Sequence, residues 1–277
     1  MFTLNCRGRL LSITQPVVMG IINTTPDSFF SGSRQQTIEG ALHQAEKMIS
    51  EGAVILDIGG QSTRPGSEQV TAQTEAERVL PVIEALHHTF PGTVLSVDTY
   101  YASVAEKAVA AGASVINDIS GGMLDAAMLP TAAKLQTPFI CMHMKGTPQT
   151  MQQFTQYENI VQEVLEYFIE RIAACRLAGI TDIIIDPGFG FSKTIAQNFE
   201  LLRGLSVLSM LEKPILAGLS RKGTVYKTLQ IQPEEALNGT TVLNTVSLLN
   251  GASILRVHDV KEAAETIKLV QAYYGEK

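Results

Sequence analysis

Short apolar runs recur along the chain and are separated by segments with helical periodicity. The segments at 38–49, 74–86, 104–111 and 160–177 carry apolar residues at the spacing of an amphipathic helix. Continuous Val, Ile and Leu runs that alternate with such helices indicate buried parallel strands in βα units. The eight runs are VVMGIIN, AVILDIGG, TVLSVDT, SVINDIS, PFICMHM, DIIIDPG, PILAGLS and SILRVHD.

The number of units predicts the architecture. Eight βα units close into a barrel, for which about 250 residues is typical, and this chain has 277. We therefore predict an α/β fold, a (β/α)8 TIM barrel, with an open doubly wound sheet as the alternative. The preceding stretch FTLNCRGRLLSI predicts a short N-terminal β-hairpin. Because no linker or low-complexity segment interrupts the pattern, we expect one domain over residues 1–277.

The runs end in polar groups that a hydrophobic core does not favour. In a barrel the carboxyl ends of all eight strands meet on one face, which is where active sites form. The pattern therefore predicts that these side chains converge. They are Asn23, Asp57, Asp98, Asn117, Asp118, His143, Asp186, Ser220, Arg256 and His258.

The first two βα connections are the long ones. Residues 24–36 and 61–73 are rich in Pro, Gly, Ser and Thr. Loops near this length in a compact domain are commonly functional lids. Tolerated surface insertions are the alternative.

Composition narrows the class of partner. The formal net charge of −6 gives no electrostatic footprint for nucleic acid or an anionic membrane, so local positive groups must hold any anionic ligand.

The cysteines Cys6, Cys141 and Cys175 lack paired spacing, which suits packing roles in a reducing compartment. No apolar segment approaches the ~20 residues of a membrane span. With no signal-peptide pattern, we expect a cytoplasmic protein.

Three strand-end residues suit a flat, nitrogen-rich ring. A carboxylate in a water-poor barrel mouth, such as Asp186, is costly unless it accepts paired donors, and a guanidine-like edge would satisfy it. Asn117 can donate and accept, and Asp98 offers a second acceptor. Alternatively, a strand-end Asp caps a loop or pairs with a local Arg. The motif DPGFGFSKT is not a phosphate loop, because no glycine precedes Lys193.

Cationic groups cluster after the last two strands. Residues two apart on a strand face the same side, so Arg256 and His258 can bind one anionic ligand together with Lys222. The corresponding loops of barrels often hold phosphate. No zinc or calcium spacing is present in the sequence. A Mg²⁺ held by a diphosphate and one protein oxygen would leave little signature, and Asn23 could be that oxygen.

These residues resemble those of the dihydropteroate synthases of folate biosynthesis, of the bacterial type. The resemblance runs from Met19 to about His258 and is carried by GIINTTPDSF, DIGGQSTRPG, VDT, INDISGG, MHMKGTP, DPGFGF, LSRK and RVHD. It implies a single pterin-binding (β/α)8 barrel. The implied reaction joins (7,8-dihydropterin-6-yl)methyl diphosphate to 4-aminobenzoate by a dissociative (SN1-like) substitution, and Mg²⁺ assists release of diphosphate.

The resemblance also implies roles for individual residues. The pterin would be held by Asp98, Asn117, Asp186 and Lys222. The diphosphate would be held by Asn23, Arg256 and His258, with Asn23 also a metal ligand. The 4-aminobenzoate site would comprise Thr63, Arg64, Pro65, Phe29, Phe191 and Ser220. The catalytic residues would be Lys222, Arg256, His258 and Asp27.

Further implications concern the first lid and the partners. The family pattern usually has a second acid in this lid, whereas this chain has Phe30 and Ser31 there and keeps Asp27. The resemblance implies a homodimer formed by late helices, and sulfonamides as competitive inhibitors.

Two rival functions use the same barrel. A pterin-binding methyltransferase domain acting on a corrinoid protein would not need the SRK, RVHD or STRPG motifs. A noncatalytic pterin-binding paralogue would be expected to lose Lys222, Arg256 or His258. All of these features are present.

Overall fold

The hairpin lies ahead of the barrel and covers one of its ends. The computed structural model describes residues 1–24, 34–62 and 69–275, and at 34–37 only the backbone. Strands β1 (Phe2–Cys6) and β2 (Arg9–Ile13) pair antiparallel, as predicted. Arg7 and Gly8 between them have φ of 56° and 84°, the positive values that a tight two-residue turn requires.

Eight parallel strands form the barrel. Their order is β8-β7-β6-β5-β4-β3-β10-β9, and a parallel bridge between Ile185 and Ile215 joins the two ends of the sheet. The (β/α)8 prediction is confirmed, and the open-sheet alternative is wrong. The strands are β3 (Val17–Asn23), β4 (Ala53–Gly59), β5 (Val94–Asp98), β6 (Val115–Asp118), β7 (Phe139–Met142), β8 (Ile183–Asp186), β9 (Leu216–Ala217) and β10 (Ile254–Val257).

Helices follow the barrel strands, and the four predicted helical segments all lie in helices. Side-chain caps fix several starts: Thr71 accepts from the Thr74 amide, and Thr194 and Gln197 form a capping box. The helices are α1 (Arg34–Ser50), α2 (Ala72–Thr89), α3 (Ala102–Ala111), α4 (Met128–Leu135), α5 (Ile160–Ala178), α6 (Ile195–Arg203), α7 (Gly223–Leu229), α8 (Leu237–Leu249) and α9 (Val260–Tyr274). Short 3₁₀ segments lie at Met151–Gln153, Leu205–Leu211 and Pro233–Glu235.

Alternation along the strands separates two hydrophobic cores. One set of side chains packs between the sheet and the helices, and includes Leu56, Ile58 and Val97. The other set packs inside the barrel against the hairpin, because successive strand residues point to opposite faces. The barrel-interior set is Leu4, Cys6, Ile13, Val17, Met19, Ile55, Val94, Val115, Ile140, Ile184, Leu216 and Ile254.

Two further predictions can be compared with the fold. The three cysteines are buried and free, in agreement with packing roles. Among the described residues, no helix combines the length and the hydropathy that a membrane crossing needs.

Candidate active site

Polar side chains lie directly above the apolar layer of the barrel interior. On β4, Asp57 follows Ile55 by two residues, so both occupy the inner face. The same step leads from Val115 to Asn117 and from Ile254 to Arg256. The ends of these strands therefore form a polar layer at the carboxyl end of the barrel, as the sequence predicts for Asp57, Asn117 and Arg256. Asp118 follows Asn117 and points to the opposite face, where its carboxylate accepts from the Ser120 and Gly122 amides, and His143 packs against Tyr167.

Arg256 lies between two carboxylates. Its Nε donates to Asp57 Oδ2 at 2.6 Å, and its Nη2 donates to Asp98 Oδ2 at 2.6 Å. Only about a fifth of the Arg256 side chain is exposed, and Asp57 is fully buried. Charge-assisted hydrogen bonds in such a water-poor place are strong and directional. The guanidinium is consequently held in one orientation.

Asn117 joins the same network. Its Nδ2 donates to Asp57 Oδ2 at 2.9 Å, and its Cα pairs in register with that of Asp98 on the neighbouring strand. The sequence predicted Asp98, Asn117 and Arg256 as site residues, and the structure brings them together. It adds Asp57, which the sequence placed at the mouth without a role.

Burial and crowding by acids alter the ionisation of Asp98. Burial is the largest cause and raises its pKa to about 7. The Arg256 guanidinium opposes this shift, while Asp57, Asp118 and Asp186 raise the pKa further. Burial and the neighbouring acids therefore favour the protonated form of Asp98, while the Arg256 guanidinium favours its carboxylate.

Asp186 and Lys222 both contact the loop after β8. Asp186 Oδ1 accepts from the Gly188 amide at 2.8 Å, and Lys222 Nζ donates to the Phe189 carbonyl at 2.6 Å. The Lys222 ammonium is also 4.8 Å from the centroid of the Phe191 ring. Burial raises the pKa of Asp186, whereas burial lowers the pKa of Lys222 to about 8.

The loops after the last two strands are joined by two contacts. Ser220 Oγ lies 3.0 Å from His258 Nδ1, and it also accepts from the His258 amide at 3.2 Å. Arg221 forms a fork with Asp259, with Nε to Oδ2 at 2.9 Å and Nη2 to Oδ1 at 2.6 Å. Lys222 and His258 each adjoin one member of this ion pair in the sequence, so the pair holds the backbone of the two loops together next to these residues.

A buried lysine supports the loop after β8. Lys193 Nζ donates at 3.0 Å to the carbonyls of both Gly188 and Phe191, and lies 2.9 Å from His143 Nδ1. Burial lowers the pKa of Lys193 well below its usual value, and does the same for His143. The sequence did not predict this role for Lys193, whose motif lacks the spacing of a phosphate loop. The feature of the sequence that could have indicated this role is the position of Lys193 at the end of a glycine-rich segment.

The described ends of the second long connection are held by two tyrosines. Gln61 Nε2 donates to Tyr100 Oη at 2.7 Å, and Gln61 Oε1 accepts from the Val70 amide at 3.2 Å. Tyr101 Oη donates to the Val70 carbonyl at 2.8 Å. Sequence reasoning missed both tyrosines, although TYY directly after the third barrel strand marked their place.

Glu75 lies at the start of α2 and is 1% exposed. Within the described part of the chain, neither of its carboxylate oxygens has a hydrogen-bond partner. Burial is the main reason that its pKa rises to about 7, and the charge of Asp98 adds to the shift. Near neutral pH, Glu75 is therefore protonated to a much greater extent than an ordinary glutamate.

The predicted metal ligand fits a site with few protein donors. Asn23 ends β3, and its Oδ1 and the Asp98 carboxylate both lie 3.8 Å from the point where a Gly59 Cβ would stand. Among the described residues, no group of three or more His, Cys, Asp or Glu could hold a metal ion. Mg²⁺ bound mainly by substrate phosphates needs only one or two protein oxygens, so an amide oxygen at this strand end is compatible with it.

Some predicted site residues lie outside the described residues. These are Asp27, Phe29, Thr63, Arg64 and Pro65, together with residues 25–33 of the first predicted lid and 63–68 of the second. The described members Asp98, Asn117, Asp186, Lys222 and Arg256 line the barrel mouth. Asn23, Ser220, His258 and Phe191 border them.

Comparisons with known proteins agree with this geometry. Residues 19–258 match the family model described as "Pterin binding enzyme". The dihydropteroate synthase of Escherichia coli is 40% identical over 273 residues, which cover 98% of this chain and 96% of that protein. That of Synechocystis is 44% identical, with 93% and 90% covered.

Solved structures give the same result. Dihydropteroate synthase of Xanthomonas albilineans with 4-aminobenzoic acid has a TM-score of 0.92 and 41% identity, and covers 99% of each chain. That of Yersinia pestis with a sulfonamide drug has a TM-score of 0.93 and 41% identity, and covers 99% of this chain and 100% of that one. The chain therefore belongs to the dihydropteroate synthase family of pterin-binding enzymes.

Proposed function

We propose that the barrel mouth condenses (7,8-dihydropterin-6-yl)methyl diphosphate with 4-aminobenzoate to give 7,8-dihydropteroate and diphosphate, a step of tetrahydrofolate biosynthesis. The chain is then a transferase of the pterinylmethyl group. One observation carries the proposal: a network of Asp98, Asn117 and Arg256, with Asp186 and Lys222 beside it, combines acceptors for a heterocycle with cations for a leaving group.

The pterin binds among the acceptors. Asp186 is 5% exposed and takes only one described hydrogen bond, from the Gly188 amide to Oδ1. Its other oxygen can accept from a ring N–H or an amino group. Asn117 and Asp98 supply further hydrogen-bonding groups, and Lys222 donates beside them. Since the charged acceptors match a donor-rich edge, the site favours the pterin over rings that lack this edge.

The diphosphate binds at the loops after β9 and β10. His258 and Lys222 lie in these two loops, which are joined by the Ser220–His258 and Arg221–Asp259 contacts, and Arg256 lies on β10. Preorganised cations stabilise the charge that develops on a departing diphosphate without reorganisation cost. The described acids Asp57, Asp98 and Asp186 outnumber Arg256 and Lys222, so the site benefits from an added divalent cation.

Asn23 would hold Mg²⁺ together with the diphosphate. When bound, Mg²⁺ supplies positive charge to the leaving group. The chain's own residues orient the substrate. Arg256, His258 and Lys222 bind the phosphates, and the pterin acceptors fix the methylene carbon relative to them.

The reaction proceeds by dissociative, SN1-like substitution. The electron-rich dihydropterin stabilises positive charge on its methylene as the C–O bond breaks, so no covalent enzyme intermediate is required. Diphosphate departs with the electron pair of that bond, and the amine of 4-aminobenzoate then forms the C–N bond and loses a proton. Water must be excluded, because it would capture the same cation.

The 4-aminobenzoate binds beside Phe191 and Ser220. The Phe191 ring is buried and lies under the Lys222 ammonium, and Ser220 is fixed against His258. We assign Phe29, Thr63, Arg64 and Pro65 to the rest of this pocket, and Asp27 to the cationic intermediate, on the basis of the motifs that contain them. Sulfonamides would compete for the same pocket.

Two further proposals concern the whole molecule. Helices α7, α8 and α9 expose apolar side chains, which supports a homodimer formed by late helices. The net charge and cysteine pattern support a cytoplasmic location. The exposed apolar side chains are Leu229, Val242, Leu249, Leu269 and Tyr273.

A coupled assay of diphosphate release tests the activity. Diphosphate should appear when both substrates and Mg²⁺ are present, and dihydropteroate should form in equal amount. A corrinoid-directed methyltransferase or a noncatalytic pterin-binding protein would release none. Omission of 4-aminobenzoate should strongly reduce release, and a sulfonamide should inhibit it competitively. Diphosphate release without dihydropteroate would contradict the proposal.

A further inference from the structure

Asp57 is a carboxylate in the centre of the barrel interior. It lies on β4 between the inward-facing residues Ile55 and Gly59, and its relative exposure is 0%. Removal of a carboxylate from water is costly unless charged or polar partners compensate. A residue that keeps this cost inside an otherwise well-packed barrel needs an explanation from its contacts.

One oxygen of Asp57 takes all of its described contacts. Oδ2 accepts from Asn117 Nδ2 at 2.9 Å and from Arg256 Nε at 2.6 Å, and Arg256 Nη2 is also 2.6 Å away. Within the described chain, Oδ1 is buried without a hydrogen-bond partner. In the strand order, β6 and β10 each lie two strands from β4, on opposite sides. Asp57 Oδ2 therefore connects side chains from the two opposite sides of the polar layer.

This contact determines which way the Asn117 amide is turned. An ionised carboxylate only accepts hydrogen bonds, so Asn117 must present its NH₂ group to Asp57. Its carbonyl oxygen is then free to accept from another group. If position 57 carried an amide, the Asn117 side chain could turn over and lose this defined orientation.

The same contact determines the plane of the Arg256 guanidinium. Nε is fixed by Asp57 and Nη2 by Asp98. Two anchors on a planar, rigid fork leave it no rotation about its last bonds. Nη1, which has no hydrogen bond to the described residues, is then the remaining group for a ligand.

We infer that Asp57 is a positioning residue for the transfer reaction, which fixes the Asn117 amide for the pterin and the Arg256 guanidinium for the diphosphate through its single shared oxygen. This inference rests on the proposed function. Asp57 acts through Asn117 and Arg256 and needs no contact with either substrate. The cost of burying its charge is thereby explained by the order that Asp57 gives to the site.

A double-mutant cycle tests the inference. Calorimetry with 6-methylpterin, which has no diphosphate, would compare Asp57→Asn in the wild-type and Asn117→Ala backgrounds. We expect Asp57→Asn to weaken binding about tenfold in the first and less than twofold in the second, because the orientation of Asn117 no longer matters there. Equal losses in both backgrounds would overturn the inference.

Ser96→Ala is the matched control. Ser96 is also 0% exposed and lies opposite Asp57 in register on β5, but its Oγ has no described hydrogen-bond partner. Its replacement should change pterin affinity less than twofold. A loss as large as that of Asp57→Asn would mean that any change in this layer disturbs the site, and would overturn the specific role of Asp57.

A spectroscopic measurement keeps the test independent of folding of the variant. In the wild-type protein, the Arg256 Nε–H signal, assigned by its loss in Arg256→Lys, should exchange far more slowly than those of the exposed Arg176 and Arg203. Equally fast exchange would overturn the inference. If wild-type protein binds no pterin, the proposed function and the inference both fail. If it binds pterin but the cycle is additive, only the inference fails.

Discussion

Arg256 Nη2 donates to Asp98 Oδ2 at 2.6 Å, so the residue assigned to the diphosphate is bonded directly to one assigned to the pterin. Replacement of Arg256 would leave Asp98 and the buried Asp57 with an uncompensated charge. The two halves of the first substrate are therefore not recognised by independent groups.

This relationship predicts different results for two substitutions on one strand end. His258→Ala should weaken binding of the diphosphate substrate about tenfold or more and leave 6-methylpterin within twofold, because His258 contacts Ser220 in the loop after β9, where we place the diphosphate. Arg256→Ala should weaken both ligands. Calorimetry with the two ligands makes the comparison, and unchanged 6-methylpterin binding in Arg256→Ala would contradict it.

Asp186→Asn should remove useful pterin affinity. The amide presents a donor where the ligand also presents donors, and loss of a charge-assisted pair costs ~2–3 kcal/mol, on the order of a hundredfold in Kd. Titration of 6-methylpterin measures the change. Asp182→Asn is the control, because Asp182 precedes the same strand at the opposite end of the barrel, where it accepts from the Asn5 amide. Near-normal affinity in Asp186→Asn would refute the ring placement.

Lys222 should set the alkaline limit of activity. Burial lowers its pKa to about 8, so a rise of pH through this value removes a positive charge from the mouth. We expect kcat/KM for the diphosphate substrate to fall above about pH 8. Lys222→Arg should move this limit upward, because a guanidinium stays protonated. The pH profile of both proteins decides the matter, and an unmoved limit would assign it to another group.

Glu75 should make the protein less stable as the pH rises. Its pKa in the folded state is about 7, against 4.5 for an ordinary glutamate, so between these values the folded state holds a proton that the unfolded state has lost. The free energy of unfolding therefore falls across this window, by at most about 3 kcal/mol, and the loss is complete above pH 7.

Urea unfolding from pH 4.5 to 8 checks the contribution of Glu75. Glu75→Gln should flatten the curve relative to the wild type. Glu77→Gln, at an exposed position on the same helix, should leave the slope unchanged. An equal slope in Glu75→Gln and the wild type would show that Glu75 is ionised in the folded state.

The sequence predicted the strand ends well, because the two-residue period and barrel closure together force Asp98, Asn117 and Arg256 onto one face. The sequence could not predict which side chains form hydrogen bonds with Asp57. The Asp57–Arg256 bond joins residues 199 positions apart, and which acid meets which base depends on the stagger of the closed sheet.

The burial of individual charged residues cannot be predicted from the hydrophobic periodicity of a helix or loop. Glu75 and Glu77 look alike in an amphipathic helix, yet one is buried and the other exposed, because the Glu75 side chain packs against Gly60, directly after β4. Lys193 is of a residue type that is usually exposed at the protein surface. Its burial follows from three carbonyls and His143 that surround it only after the loop has folded.

The apolar layer beneath Asp57 has a consequence for inhibitor chemistry. Ile55, Val94, Ile140, Ile184 and Leu216 fill the barrel below the polar groups, and the hairpin closes the far end. A bound ring cannot be extended downward without displacement of tightly packed side chains, which costs several kcal/mol in typical cores. Larger inhibitors can therefore gain contacts only by growing outward, toward the loops that follow the strands.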